Sequence, residues 1–203
     1  MLLNKPEYVK VDDKLYKINT DFRIALECNQ IAEDKTIGDY ERALAVIYKL
    51  FGEDGLDCEN KNRLLELGMK YISFGQELKS LKKHSHEKFE IDFIKCKGLI
   101  QSSFKYDYKY DPYELEHLHW YDFYNDLENL STSELGSCCV LNRVIAILNR
   151  DAKTIKDSKE RKKLIDAQKQ LKEKYCSVEQ EKQLTPEQER NGKEFLKQLG
   201  IEL

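Results

Sequence analysis

The chain has 203 residues, with 34 Lys+Arg against 37 Asp+Glu for a formal net charge of -3, 40% hydrophobic and 35% charged residues, but only 9 Gly and 3 Pro. This length suits one domain or two small ones, and scarce Gly and Pro disfavour many-stranded sandwiches and barrels, which need a turn signal about every ten residues. The charge-rich, breaker-poor balance points to helices with solvated faces, and a net charge this close to neutral argues against bulk nucleic-acid binding.

In chain order, Tyr8–Val11 and Leu15–Ile18 are short β-prone runs around Asp12-Asp13-Lys14, the pattern of a hairpin. A lone hairpin is marginal in water, so it should pack on the helices that follow. Thr20 or Asp21 can cap a first helix that places Phe22, Ala25, Leu26 and Cys28 on one face. A second helix starts at Gly38-Asp39 and aligns Tyr40, Ala43, Leu44, Ile47, Leu50 and Phe51 before Gly52 ends it and opens an acidic loop. A third, from about Asn60, carries Leu64, Leu65, Leu67, Gly68, Tyr71 and Ile72. Residues 76–88 lose apolar density and read as a mildly basic loop.

Phe89, Phe93, Cys96, Leu99 and Ile100 outline a fourth helix, with residues 104–111 as an extended aromatic connector. Asp111-Pro112-Tyr113-Glu114 has the capping acid, first-turn proline and third-position Glu of a helix start. That helix should run to about Leu130 with Leu115, Leu118, Phe123 and Leu127 inward. Ser131-Thr132-Ser133-Glu134 repeats the pattern and predicts an antiparallel partner helix carrying Leu135, Cys139, Val140, Val144, Ile147 and Leu148. Residues 153–174 hold nine Lys/Arg against four acids, a local balance of +5, and only a thin apolar stripe of Leu164, Leu171 and Tyr175. After a linker at 176–184, Thr185-Pro186-Glu187-Gln188 opens a short last helix. The expected architecture is mainly α: an N-terminal β-hairpin on a multi-helix bundle over residues 1–150, and a charged helical tail over 151–203.

Chemistry-bearing patterns are sparse. His84 and His86 sit in a polar loop; Glu114-x-x-His117 and Glu116-x-x-His119 could each place two ligands on one helix face, but a di-iron bundle needs that motif from two helices. There is no G-x-S-x-G, Walker loop or H-E-x-x-H, so neither an enzyme nor a cofactor or metal is expected. No run approaches the ~18 apolar residues of a membrane span, and the N-terminus lacks the apolar core of a secretion signal. Cysteines at 28, 58, 96, 138, 139 and 176 form no Cys-x-x-Cys pair, and free thiols in a reducing compartment are expected. Tyr106, Tyr108, Tyr110 and the basic residues Lys162, Lys163 and Lys169 are candidate partner contacts; for all of them the competing reading is an ordinary packed or solvated helix.

Two stretches carry more. The hairpin runs into Tyr16, Ile18, Asn19, Thr20, Asp21, Phe22 and Arg23; far downstream come Leu118, His119, Trp120 and Phe123. Their order, their spacing and the Lys-rich tail resemble the "gene product fifteen" family of proteins from phages and prophages of Gram-positive bacteria. Tyr121 stands where the family has a second tryptophan, and the last thirty or so residues fall outside the resemblance. The resemblance implies a tail assembly chaperone in the host bacterial cytoplasm. Such a protein would bind the tape measure protein, self-associate along it, yield to the tail tube protein, and be absent from the virion. Two readings stay open beside it: a structural tail-completion or connector protein, and a nucleic-acid-binding regulator using the Lys-rich helix.

Overall fold

The computed structural model describes residues 5–34, 38–74, 92–130 and 139–176, together with Pro186. They fall into two compact units: residues 5–74 with 117–121, and residues 92–116 with 122–176. The loop expected at 76–88, Phe89, His84, His86, Cys138, the capping box at 131–134, Leu135 and the last helix apart from Pro186 lie outside the described residues, so the antiparallel pairing expected across 131–138 does too.

The first unit opens with strands β1 (Tyr8–Val11) and β2 (Lys14–Lys17), paired antiparallel in the register Tyr8 to Lys17 and Val11 to Lys14. Asp12 takes a left-handed conformation (φ 53°), which short polar side chains tolerate and a two-residue turn demands. Alternation then sorts the faces: Val11 and Tyr16 are buried, while Tyr8, Lys10, Leu15 and Lys17 are exposed. β1 packs on α3 (Lys61–Ile72) and β2 on α2 (Asp39–Leu56). The hairpin thus gains the support it needs. Helix α1 (Phe22–Glu33) buries the expected face of Phe22, Ala25, Leu26 and Cys28 against α2.

In α2 the buried face is Ala43, Val46, Ile47, Leu50 and Phe51; Tyr40, expected inward, is 40% exposed because the stripe rotates toward Val46. Gly52 does not end α2 but kinks it, with φ 67° and ψ -153°, and one more turn follows. Only glycine occupies that backbone region readily. At Gly68 of α3 the reason for glycine is space: a Cβ there would come within 2.9 Å of Leu50 Cδ1 and 3.1 Å of Phe51 Cε2.

The second unit departs further from expectation. Helix α4 spans Lys97–Asp107, so Phe93 and Cys96 precede it in a turn, and residues 104–107 are helical, not an extended connector. Phe104, fully buried, stacks on Phe123 at 5.5 Å between ring centroids. That burial outweighs the strand-like alternation of the aromatic run. The helix expected from Asp111 does not form there: residues 112–116 are turns, and α5 spans only Trp120–Glu128. The Asp111 cap is real, since its carboxylate accepts from the Tyr113 N–H at 2.9 Å. It also accepts from Gln101 Nε2 at 2.7 Å and Lys105 Nζ at 3.0 Å, so burial and contacts to α4 fix the segment as a turn. With that helix gone, Leu115 is exposed and neither Glu-x-x-His motif presents two ligands on one helix face.

Helices α6 (Val140–Asn149) and α7 (Ser158–Tyr175) pack together, joined by a 3-10 turn at Ala152–Thr154. Val144, Leu148 and Cys176 are buried with Leu99, Leu171 and Tyr175 against them. Asp157 caps α7, accepting from the Glu160 N–H at 2.8 Å. The end of α7 is held by the turn before α4. The Asp92 N–H donates to Tyr175 O at 3.1 Å and Lys95 Nζ to Cys176 O at 2.7 Å, a cation at a helix C-terminus. No residue of α7 is fully buried, as its composition predicts. Gly52→Ala should cost about 1–3 kcal/mol through the strained backbone alone, read as a lower urea midpoint at unchanged slope.

Candidate functional site

The two stretches singled out in the sequence meet in the first unit. Asn19 leaves the hairpin with its N–H donating to Leu50 O at 2.7 Å. Thr20–Phe22 then runs antiparallel to Leu118–Trp120. The Phe22 N–H donates to Leu118 O at 2.9 Å and the Trp120 N–H to Thr20 O at 2.8 Å, bracketing a bridge between Asp21 and His119. Thr20 Oγ1 and His117 Nε2 add a contact at 3.1 Å.

Asp21 organises this clasp. Its Oδ1 accepts from the Arg23 N–H at 2.9 Å, which caps α1, and from Arg23 Nε at 2.7 Å. Its Oδ2 accepts from Arg23 Nη2 at 2.7 Å and from the Leu118 N–H at 3.4 Å. Burial pushes the Asp21 carboxyl up, but the Arg23 hydrogen bonds and charge and the Leu118 N–H together outweigh it and hold the pKa below its ordinary 3.8. Fork-to-carboxylate pairing of this kind needs arginine; lysine cannot supply two parallel donors.

Trp120 anchors the other strand. It is 2% exposed, and its indole Nε1 donates to Ile72 O at 3.0 Å. Phe74 stacks beside it at 5.1 Å from a left-handed backbone (φ 57°), unusual for an aromatic residue. Tyr121 stacks on Tyr71 at 5.2 Å, and its hydroxyl donates to Tyr71 O at 3.3 Å. The clasp thus closes over the C-terminal end of α3. Sequence reasoning placed Tyr71 and Ile72 on an apolar helix face but did not identify them as the partners of Trp120 and Tyr121. Nothing local encodes that pairing.

The remaining candidates lie elsewhere. Tyr16, Ile18 and Phe22 are buried in the first unit and Phe123 in the second. In the second unit Tyr108 Oη donates to Asp126 O at 2.8 Å and Tyr110 Oη to Asp126 Oδ2 at 2.6 Å, so both phenols hold α5, while Tyr106 is 57% exposed. Lys162, Lys163 and Lys169 are exposed on α7.

Chemically, the carboxylates of the clasp and of the anchors around it are satisfied, whereas among the described residues the buried Tyr71 hydroxyl and His119 Nε2 make no hydrogen bond. The Asp21 and Asp111 carboxylates are each tied to several donors, which suits a structural anchor better than a proton acceptor. Burial, followed by neighbouring Glu27, pushes the Cys28 thiol up to about 12; burial, followed by Cys176, does the same to Cys96, leaving both neutral at pH 7. Among the described residues no group of three or more His, Cys, Asp or Glu could hold a metal, and no helix is long and apolar enough to cross a membrane.

Two predictions follow from the clasp. Because the Asp21 pKa is depressed on folding, its stabilisation is fully present above the unfolded carboxyl value, about pH 4, and is lost as pH falls through the lower folded value. Asp21→Asn should therefore lower stability at pH 7 and flatten the loss of stability on acidification, measured by urea unfolding between pH 7 and pH 2. Trp120→Ala should cost about 3–5 kcal/mol by the same assay; intact stability would instead mark Trp120 as a partner contact.

No curated protein and no solved structure matches the chain. A family does. The profile of the Bacteriophage Gp15 proteins matches residues 3–175, a span that takes in the hairpin, both halves of the clasp and the basic helix. This is a phage-related chain, and it belongs to the Bacteriophage Gp15 protein family.

Proposed function

We propose that this protein is a tail assembly chaperone: a binding protein, not an enzyme, that coats the tape measure protein in the host cytoplasm during tail morphogenesis and leaves before the virion is complete. The observation that carries the reading is how the side chains are allotted. The motif residues are consumed internally: most of them in and around a clasp that holds a hairpin and three helices together, and Phe123 in the second unit, stacked on Phe104. What remains outside includes helix surface in the second unit: cations on α7 and isolated apolar side chains such as Val140, Ile147 and Ile165. Surfaces of that kind favour recognition of another helix by apolar contact with a charged rim.

A tape measure is a long amphipathic helix whose apolar stripe must be covered before the tube closes around it. Many modest contacts along one partner would give avidity while leaving each copy displaceable by tube subunits. Self-association of neighbouring copies along the tape measure would add to that avidity.

Co-expression with the cognate tape measure should yield a soluble complex that co-elutes by size exclusion, and mass spectrometry of purified virions should find no copies of this chain. An insoluble tape measure with no complex sinks the chaperone reading. Copies retained in the virion at fixed stoichiometry would make the chain a tail-completion or connector component. Duplex binding with a steep salt dependence, in place of the complex, would make it a nucleic-acid-binding regulator.

A further inference from the structure

Helix α6 is apolar on more than the side it buries. Leu141, Val144 and Leu148 are covered, yet Val140 is 45% exposed and Ile147 37% exposed along one flank of that stripe. Positions 140, 143 and 147 follow helical spacing, so the exposed stripe reads Val140, Arg143, Ile147, and Arg150 follows just past the helix end as its extended cap residue. Helix α7 repeats the theme: Ile165, 49% exposed, stands between Lys162 three residues before it and Lys169 four after, both exposed. The two helices lie side by side. Gln168 Nε2, one turn beyond Ile165, donates to Ile147 O at 2.9 Å and Arg150 O at 2.7 Å and so lays the last turn of α6 beside the middle of α7.

The spacing says what fits. Val140 and Ile147, Arg143 and Arg150, and Lys162 and Lys169 are each seven residues apart. Seven residues rise about 10.5 Å, the repeat at which a helix packed nearly parallel presents successive apolar positions. We propose that this outer face of α6 and α7 receives one amphipathic helix from a protein partner, its apolar stripe seated on Val140, Ile147 and Ile165 and its flanks carrying carboxylates toward Arg143, Arg150, Lys162 and Lys169. Charge complementarity selects the acidic flanks: the face holds four cations against one exposed acid, Asp166, between Lys162 and Lys169. Aliphatic knobs favour a helix over nucleic acid, whose bases call for aromatic stacking surfaces. The proposal rests on the chaperone reading for the identity of the partner, but its chemistry stands on the face alone.

The probe is a labelled amphipathic peptide of about 21 residues, three heptads with Leu at the apolar positions and Glu at the flanks, titrated by fluorescence anisotropy onto the full chain. A second peptide carries Lys at the flanks. The Glu peptide should bind at least about tenfold more tightly than the Lys peptide, and Ile147→Glu or Ile165→Glu should weaken it by at least about tenfold. Thermal unfolding identifies the variants that stay folded, and Ile165→Glu, at the more exposed position, carries the test should Ile147→Glu lower stability. Equal affinity for the two peptides, or unchanged binding by folded variants, overturns the proposal. So does tighter binding of a duplex oligonucleotide than of the Glu peptide at this face, or dimerisation abolished by Ile147→Glu, which would make a second copy the occupant. If the tape measure co-purifies equally with parent and variants, this face is wrong and the chaperone reading survives; if the Glu peptide binds but no tape measure co-purifies, the face stands and the chaperone reading falls.

Discussion

Everything in the first unit hangs on one short antiparallel contact, in which Asp21 faces His119 and the backbone groups of Thr20, Phe22, Leu118 and Trp120 pair around it. The segments it joins are 97 residues apart, a separation whose closure costs about 4 kcal/mol of chain entropy by simple loop scaling. Two backbone hydrogen bonds do not offset that by themselves. The Asp21 to Arg23 fork, the Trp120 indole bond to Ile72 and the stacking of Tyr121 on Tyr71 supply the remainder, in surroundings dry enough for each to count.

The clasp also explains why the hairpin persists. Two four-residue strands would not hold alone, but Ile18 and Asn19 tie the exit of the hairpin: the Ile18 N–H donates to Glu7 O at 2.8 Å and the Asn19 N–H to Leu50 O at 2.7 Å. Asp21 then begins α1 while its other oxygen reaches the returning chain. One carboxylate therefore serves as helix cap, ion-pair partner and strand acceptor, and the run from Tyr16 to Arg23 is legible as the chemistry of a junction. In the proposed function, binding falls to surfaces that the junction does not use, among them the outer stripes of α6 and α7.

Much of this was readable in the sequence, and the boundary has a physical cause. The hairpin, α1, α3 and α7 follow from alternation, capping and helical spacing, because their burial patterns are set by neighbours close in the chain. Between residues 104 and 119 the chain departs from its local signals, while the expected helix holds over Trp120–Glu128. Asp111-Pro112-Tyr113-Glu114 has every local mark of a helix start, yet Asp111 is recruited by Gln101 and Lys105, and the chain turns instead. The aromatic run at 104–110 alternates like a strand, yet Phe104 has Phe123 to stack on and stays helical.

The sequence by itself determined that this chain is mainly helical, begins with a hairpin, carries a thinly buried basic helix, and holds two separated motif stretches. Only the tertiary structure decided that the stretches are halves of one clasp, that Tyr108 and Tyr110 hold α5 while Tyr106 is left outside, and that Val140, Ile147 and Ile165 stand uncovered beside cations. Local spacing assigns a residue to a face of its own element. What that face meets depends on contacts between segments far apart in the chain, and those are settled by burial and hydrogen bonding in three dimensions.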